Sequence, residues 1–398
     1  MSLVIDYSNG VFEAVPSGET VGTITGNATL DLTSGNLFNH TPTANTTFVF
    51  SNPPTTGSAY DMTLKVVGAN VTSGYDLANA SYDSKSFAVT SQAPAPFDLD
   101  FKPDGTSFIV VGQSSDTVYQ YNCSTAWDIS TASYANKSLN VSSQAEIPRG
   151  LMFNNDGTKI YVLDSSPWFD KVQRIYEYDL STPYDVSTGS YNNVSLDLST
   201  AVSNFTGNEF FIPSGGSQDG TKVYAGCYNN DRIYSWTLST AWDLSTASLD
   251  STSFSVSSYD GVHAGMYVNS DGTKWWIGAR QSDKIIQFSM STPYDISTSS
   301  KDTAELSWSG QTTDVYGFKF KNDDGAKLYL MSPGDDTIYQ YSTAATPVLA
   351  TIAWPSSVKW AGGTAPSAPA NGEKDVYNFF TLDGGTTYYG FQAGDAMA

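Results

Sequence analysis

The segment STAWDISTASY, residues 124–134, has close copies elsewhere in the chain. They are STPYDVSTGSY from residue 181, STAWDLSTASL from 239, STPYDISTSSK from 291 and the weaker TSGYDLANASY from 72. Their aspartates are Asp76, Asp128, Asp185, Asp243 and Asp295, separated by 52 to 58 residues. A recurrence of this length is typical of repeat folds such as propellers and solenoids.

Two further landmarks follow each copy in a fixed order. The first is an Asp-Gly turn, mostly of the form DGTK, whose aspartates are Asp104, Asp156, Asp219, Asp271 and Asp324. The second is an aromatic strand, such as DTVYQY ending at Tyr121. Each unit contains four alternating apolar and polar stretches, and Asp-Gly favours a tight hairpin between the second and third. Five such units predict a five-bladed β-propeller with four-stranded blades, and a solenoid of stacked hairpins is the alternative.

The order of the strands also predicts how the ring closes. The first unit opens with an outer strand at residues 84–91, whereas the fifth ends at residues 336–341 without an outer strand. Pairing of these two segments would remove two exposed strand edges. The STAWD copies then lie in blade-edge loops, where the aspartate caps a turn and the aromatic ring covers the blade end. We therefore interpret the motif as part of the architecture.

The two flanks of the chain lack the repeat. Residues 1–71 and 344–398 contain their own alternating strands, for example residues 61–68 and 375–391. Joined, the flanks would form one split β-sandwich-like domain, into which the propeller, residues 72–343, is inserted. The sequence therefore predicts an all-β fold.

Composition and charge exclude several classes of partner. The chain of 398 residues has 40 acidic and 19 basic side chains, a net charge of −21. Such a field repels nucleic-acid phosphates and anionic membranes, so we expect no nucleic-acid partner. No apolar run approaches the ~20 residues that span a bilayer, and no secretory leader is visible. Two cysteines provide no disulfide framework.

Three segments of the flanks carry a resemblance to a known family. TLDLTSGNLFNHTPTANTTFVFSNPP (29–54), ATIAWPSSVKWAGGTAP (350–366) and DVYNFFTLDGGTTYYGF (375–391) resemble a β-domain of tail-fibre-like structural proteins of tailed bacteriophages. The repeats, for instance residues 101–130, are similar to DGTK-type propeller repeats of marine phage and bacterial surface proteins. The resemblance implies a virion protein, assembled in the host cytoplasm. Its implied partners are copies of itself, other virion proteins and a host surface glycan or protein.

Residues with catalytic chemistry are sparse in this sequence. The only histidines, His40 and His263, lie in different predicted domains, which argues against a zinc site or a histidine-centred triad. The predicted inner strands contain Asp98, Asp100 and Glu209 but no consistent ring of acids. We therefore expect no catalytic site, no metal, no cofactor and no enzymatic activity.

One loop departs from the repeat in a way that favours a contact surface. It spans residues 164–173, adds five residues to the second unit and contains Trp168 and Phe169 in the stretch PWFDKVQ. Exposed aromatic side chains in a loop often contact a protein or a glycan. Trp168 and Phe169 are thus the candidate partner-binding residues.

Besides a binding module outside any virus, such as a bacterial surface propeller, three functions remain open at this point. The first is a structural protein of a phage particle whose propeller projects from the tail as an adhesion or receptor-binding module. The second is a capsid decoration or head-fibre protein. The third is a propeller hydrolase acting on lactones or glycans, for which substitution of Asp98, Asp100 or Glu209 should abolish turnover.

Overall fold

The computed structural model describes residues 4–6, 11–13, 24–25, 29–42, 46–55, 59–71, 74–165, 173–214, 218–321, 324–343 and 348–397. The chain divides into two compact units, Gly74–Ala345 and the combination of Met1–Ser73 with Thr346–Ala398. Trp168 and Phe169 lie outside the described residues, so their contact role stays a prediction.

Five four-stranded antiparallel sheets, the blades, build the unit Gly74–Ala345. From its innermost to its outermost strand, blade 1 contains Pro96–Phe101, Ser107–Gly112, Thr117–Cys123 and Ala132–Asn140. Blade 2 contains Pro148–Phe153, Lys159–Asp164, Arg174–Leu180 and Gly189–Asp197. Blade 3 contains Phe210–Phe211, Lys222–Cys227, Arg232–Leu238 and Ala247–Ser255. Blade 4 contains His263–Val268, Lys274–Ala279, Lys284–Met290 and Ser299–Ser307.

Blade 5 takes its strands from both ends of the repeat region. From the inside outward it contains Gly317–Phe320, Lys327–Ser332, Thr337–Ser342 and Ser81–Ala88. Phe87 pairs with Ile338 and Ala88 with Thr337 across its outer pair of strands. The innermost strands contact one another in cyclic order, from blade 1 to blade 5 and back to blade 1. The five-bladed β-propeller and its predicted closure are therefore confirmed.

The STAWD motif joins each Asp-Gly turn to a neighbouring blade. In blade 1, Asp128 accepts a hydrogen bond from the Ser130 amide at 3.1 Å and caps a 3₁₀ turn, Ile129–Thr131. The ring of Trp127 lies over Gly105, where an added Cβ would come within 2.4 Å of it. Tyr329 of blade 5 donates a hydrogen bond to the Trp127 carbonyl at 2.7 Å. The motif is thus architectural, as its fivefold recurrence indicates.

The same arrangement recurs around the ring. Equivalent 3₁₀ turns are Leu77–Asn79, Val186–Thr188, Leu244–Thr246 and Ile296–Thr298, and further short 3₁₀ turns are Gln113–Ser115, Leu198–Thr200 and Ala361–Gly363. The third strand of one blade also reaches the turn of the next, since Gln340 accepts from the Ile129 amide at 2.9 Å. Buried side-chain bonds of this kind fix the angle between consecutive blades.

The flanks of the chain share one five-stranded sheet. Its strands are, in order, Val358–Trp360, Tyr388–Met397, Lys374–Thr381, Tyr60–Val67 and Leu37–His40. Tyr60–Val67 precedes the propeller and pairs along its whole length with Lys374–Thr381, which follows it. Buried Leu64, Phe38 and Phe379 belong to the core of this unit. The two flanks therefore depend on each other for their hydrogen bonds and their core.

Shorter strands complete the flanking unit. They pair as Val4–Asp6 with Val11–Glu13, Ile24–Thr25 with Thr29–Asp31, Thr29–Asp31 with Val49–Ser51, Asn70–Val71 with Val348–Leu349, and Thr46–Thr47 with Ile352–Ala353. Within the described residues, the structure has no helix of the length and apolar character needed to cross a membrane.

Candidate functional site

The innermost strands of the five blades surround a narrow channel. Its cavity has a volume of about 10 Å³ and is lined by residues of all five blades, among them Asp98, Glu209 and Lys319. A cavity of about this size holds one water molecule. The channel therefore offers a solvent site beside ionisable side chains, and not a compartment for a large ligand.

Asp98 is the carboxyl group whose acidity the channel changes most clearly. Its Oδ1 accepts from the Leu99 amide at 2.9 Å, and its Oδ2 accepts from the Leu151 amide of blade 2 at 3.0 Å. An innermost strand has no neighbour on its axial side, so its free amides need other acceptors. Burial raises the pKa of Asp98 to about 7, against the lowering effect of these amides and of the positive charge of Lys319.

Asp100 and Lys319 form a buried ion pair next to Asp98 in the channel wall. The Lys319 ammonium lies 2.8 Å from the Asp100 carboxylate. Lys319 is 6% exposed and Asp100 is 3% exposed. The second oxygen of Asp100 accepts from the Phe153 amide at 2.8 Å. Lys319 also lies 4.9 Å from the ring centre of Phe211. Lys319 thus forms an ion pair with Asp100 and also lines the channel.

Glu209 of blade 3 contacts His263 of blade 4 in the interior. Glu209 Oε1 is hydrogen-bonded to His263 Nδ1, and Glu209 Oε2 accepts from the Asn208 amide at 3.2 Å. His263 is completely buried, which by itself lowers its pKa, but the attraction of Glu209 reverses the effect and raises it. Gly226 makes room for the pair, because a Cβ there would lie 1.9 Å from Glu209 Oε1.

The structure brings the three candidate acids together near the propeller axis and keeps the two histidines apart. Asp98 and Asp100 come from one strand, and Asp98 lines the channel. Glu209 also reaches the channel wall, but both of its oxygens are engaged. His40 belongs to the flanking unit, where its ring centre lies 5.3 Å from that of Phe48. The three acids thus lie close to the axis, whereas His40 packs in the flanking unit and His263 in the propeller.

The pairing of these acids with Lys319 and His263 was not recognised from the sequence. Lys319 was not singled out, and His263 was named without a link to Glu209, although both lie on innermost strands. Among the described residues, no group of three or more His, Cys, Asp or Glu side chains is arranged to hold a metal ion.

Comparison with known proteins yields similar folds only. No family model matches the chain. No curated protein matches it either. The periplasmic gluconolactonase of Pseudomonas aeruginosa is 10% identical over 74% of this chain and 97% of that chain, with a TM-score of 0.39. The β-propeller domain of Cps50 (Swd1) from Myceliophteria thermophila is 11% identical over 65% and 99%, with a TM-score of 0.37.

A third solved structure covers less of both proteins. A Bacteroides fragilis protein described as a 6-phosphogluconolactonase is 14% identical over 53% of this chain, with a TM-score of 0.36. The chain spans 55% of the length of that protein. Identities this low are informative about the fold alone.

These observations correct one expectation from the sequence. The channel of this chain contains a carboxyl group with a pKa of about 7, which the sequence pattern did not indicate. The expectation of no enzymatic activity, drawn from the lack of a ring of acids, is corrected accordingly, because that lack does not exclude catalysis. A carboxyl group with a pKa near neutral pH has the acidity that a general acid or base needs.

Proposed function

We propose that the propeller is a hydrolase, with a lactone as its substrate class and Asp98 as its general base. The observation that carries this proposal is the position of Asp98, with its pKa of about 7, beside a cavity of about 10 Å³. A general base is most effective when its pKa lies near the working pH. A cavity of this volume has room for one water beside such a base.

The reaction needs water and no other co-reactant. The Asp98 carboxylate accepts a proton from water while the water oxygen bonds to the lactone carbonyl carbon. The ring C–O bond then breaks, and the departing ring oxygen takes the proton from Asp98. The product is the open hydroxy acid, and Asp98 returns to its carboxylate form. Because the cavity is small, the lactone ring would bind at the end of the channel and not inside it.

The geometry favours a lactone over a glycan. Hydrolysis of a glycosidic bond by the common route needs two carboxyl groups that both reach the substrate. Glu209 is 3% exposed and has both oxygens in hydrogen bonds. Asp100 is held by Lys319 and by the Phe153 amide. Asp98 also accepts from two backbone amides, but it is only partly buried and its pKa of about 7 suits a general base, so it is the carboxyl group best placed to act. A lactone requires only one such group.

The test is a pH-stat measurement of acid release from a panel of γ- and δ-lactones by the full-length protein. We expect release above the spontaneous rate, with kcat rising as the pH increases through about 7. Asp98→Asn should lower kcat at least about 100-fold, because general-base catalysis contributes ~10²–10⁴. Asp61→Asn, at an exposed strand position of the flanking unit, is the matched control. Absence of release with every lactone, or an Asp98→Asn enzyme as active as the control, would refute the proposal.

A second candidate function is a structural role in a tailed-phage particle. The resemblance of residues 29–54, 350–366 and 375–391 to phage structural proteins supports it. In this role the propeller projects from the tail as an adhesion module or decorates the capsid, and its partners are copies of itself and other virion proteins. Immunogold labelling of purified particles tests it: gold at the tail supports adhesion, gold over the capsid supports decoration, and unlabelled particles reject the virion role.

A further inference from the structure

Two arginines contact the same aromatic ring at the end of the channel where the innermost strands begin. The guanidinium carbon of Arg280 lies 3.6 Å from the ring centre of Tyr316, and that of Arg149 lies 5.9 Å from it. Arg149 also lies 4.8 Å from the ring centre of Phe97. Arginines of blades 2 and 4 thus meet over residues of blades 1 and 5.

Arg149 has neutral hydrogen-bond partners in the part of the chain that the structure describes. Its Nε donates to the Gln113 side chain at 3.2 Å, and its Nη1 donates to the Asn208 side chain at 2.6 Å. Arg280, by contrast, is paired with Asp314 at 2.6 Å. Gln113 and Asn208 therefore fix the orientation of the Arg149 guanidinium without neutralising its charge.

This arrangement is electrostatically unfavourable without an anion. Arg149 is half-buried, and burial together with the nearby charge of Arg280 lowers its pKa. An unneutralised buried charge costs free energy, and a second cation close to it adds to the cost. The chain has 40 acidic side chains, yet none of those that the structure describes forms an ion pair with Arg149. An anion bound from solution would remove the penalty.

We propose that Arg149 and Arg280 form a binding site for an oxyanion, namely the phosphate or carboxylate group of a small ligand. The planar guanidinium group suits both, since it donates two parallel hydrogen bonds to a pair of oxygens. Both guanidinium groups lie near the ring of Tyr316, and Asn208 and Gln113 hold Arg149 in position. Asn208 is 7% exposed, so its side chain belongs to the wall of the site.

The oxyanion site adjoins the channel without depending on its chemistry. Arg149 precedes by two residues Leu151, whose amide donates to Asp98. A ligand the size of a monosaccharide could therefore place its anionic group on the arginines and another part near Asp98. Binding requires no hydrolysis, so this inference is independent of the proposed function. If both hold, the substrate is an anionic lactone.

Isothermal titration calorimetry of the full-length protein tests the inference, with inorganic phosphate, gluconate and uncharged glucose as probes. We expect one equivalent of phosphate or gluconate to bind, with affinity that falls as salt is added, because screening weakens the attraction. Arg149→Gln should weaken binding at least about tenfold, corresponding to the loss of about 1.4 kcal/mol. Arg280→Gln provides an independent variant should Arg149→Gln fold poorly. Arg232→Gln is the control, because Arg232 donates to Ser253 between outer strands of blade 3.

Each outcome has a definite meaning. Binding of phosphate alone supports a phosphate as the anionic group of the ligand, and binding of gluconate alone supports a carboxylate. Binding of both supports a general oxyanion site. The inference is overturned if neither anion binds at concentrations up to about 10 mM. It is also overturned if glucose binds as well as gluconate does, or if Arg232→Gln weakens binding as much as Arg149→Gln does.

Discussion

Replacement of Glu209 by alanine should destabilise the propeller strongly. His263 is completely buried and contacts Glu209 through Nδ1, while its Nε2 has no hydrogen-bond partner among the described residues. Removing one member of a buried pair leaves the other uncompensated and costs about 3–5 kcal/mol. For a domain of about 250 residues, 1 kcal/mol corresponds to ~2–4 °C in Tm. Glu209→Ala should therefore lower the Tm by about 6–20 °C.

The effect of the substitution should depend on pH. The pKa of His263 is raised in the folded state by Glu209, after the opposing effect of burial has been overcome. A raised pKa stabilises the fold fully below the unfolded value of about 6.5, and this contribution is lost as the pH rises through the folded value. Asp231 and Asp260 act on His263 in the same direction as Glu209. The difference in Tm between wild type and Glu209→Ala should thus be larger at pH 6 than at pH 9.

Thermal unfolding followed by differential scanning calorimetry at these two pH values provides the measurement. The control is Glu305→Ala, which removes a carboxylate bonded to Lys284 at 2.8 Å and Lys301 at 2.6 Å with 27% of its side chain exposed. Surface ion pairs contribute about 0–1 kcal/mol. A loss for Glu209→Ala no greater than for Glu305→Ala would refute the reasoning, and so would a difference that stays constant between pH 6 and pH 9.

Two further substitutions test the turn and the channel. Gly157→Ala should lower the free energy of unfolding in urea by about 1–3 kcal/mol, because Gly157 has a φ of +71° and its new Cβ would lie 2.4 Å from the Tyr184 ring. The control is Gly310→Ala, which should lower it much less, because no atom lies within 4 Å of the added Cβ. Lys319→Met should move the rising limb of the pH–rate profile to higher pH, because the charge of Lys319 lowers the pKa of Asp98; an unmoved limb would contradict this assignment.

The architecture of the propeller could be predicted because its signals are local and repeated. An Asp-Gly turn between two alternating stretches defines a hairpin within about fifteen residues, and five copies in a fixed order define the blades. Gly105 illustrates the point, since it accommodates both a φ of +70° and the ring of Trp127. The closure by Ser81–Ala88 followed from counting strands, because an unpaired outer strand at one end matched a missing one at the other.

The chemistry of the channel could be predicted only in part. Asp98, Asp100 and Glu209 were identifiable because they lie on predicted inner strands. Their partners were not, since Glu209 and His263 are 54 residues apart and meet only where consecutive blades come together. The pKa of Asp98 depends on burial and on Lys319, which lies four blades further along the chain. No periodic pattern in a sequence encodes contacts of this kind.

The contrast between the rim and the axis of the propeller bears on where its function lies. At the rim, the turns and their capping aspartates recur from blade to blade, because each turn packs against its neighbouring blade in the same way. The innermost strands differ from one another at equivalent positions. The residue that lies opposite the fifth residue of the second strand is Asp98 in blade 1, Gly150 in blade 2, Glu209 in blade 3, Ala264 in blade 4 and Gly317 in blade 5. Packing alone would favour similar residues at all five, as it does at the rim. The loss of the repeat at the axis favours a single asymmetric site there, in keeping with the proposed general base Asp98 and the proposed oxyanion site at Arg149.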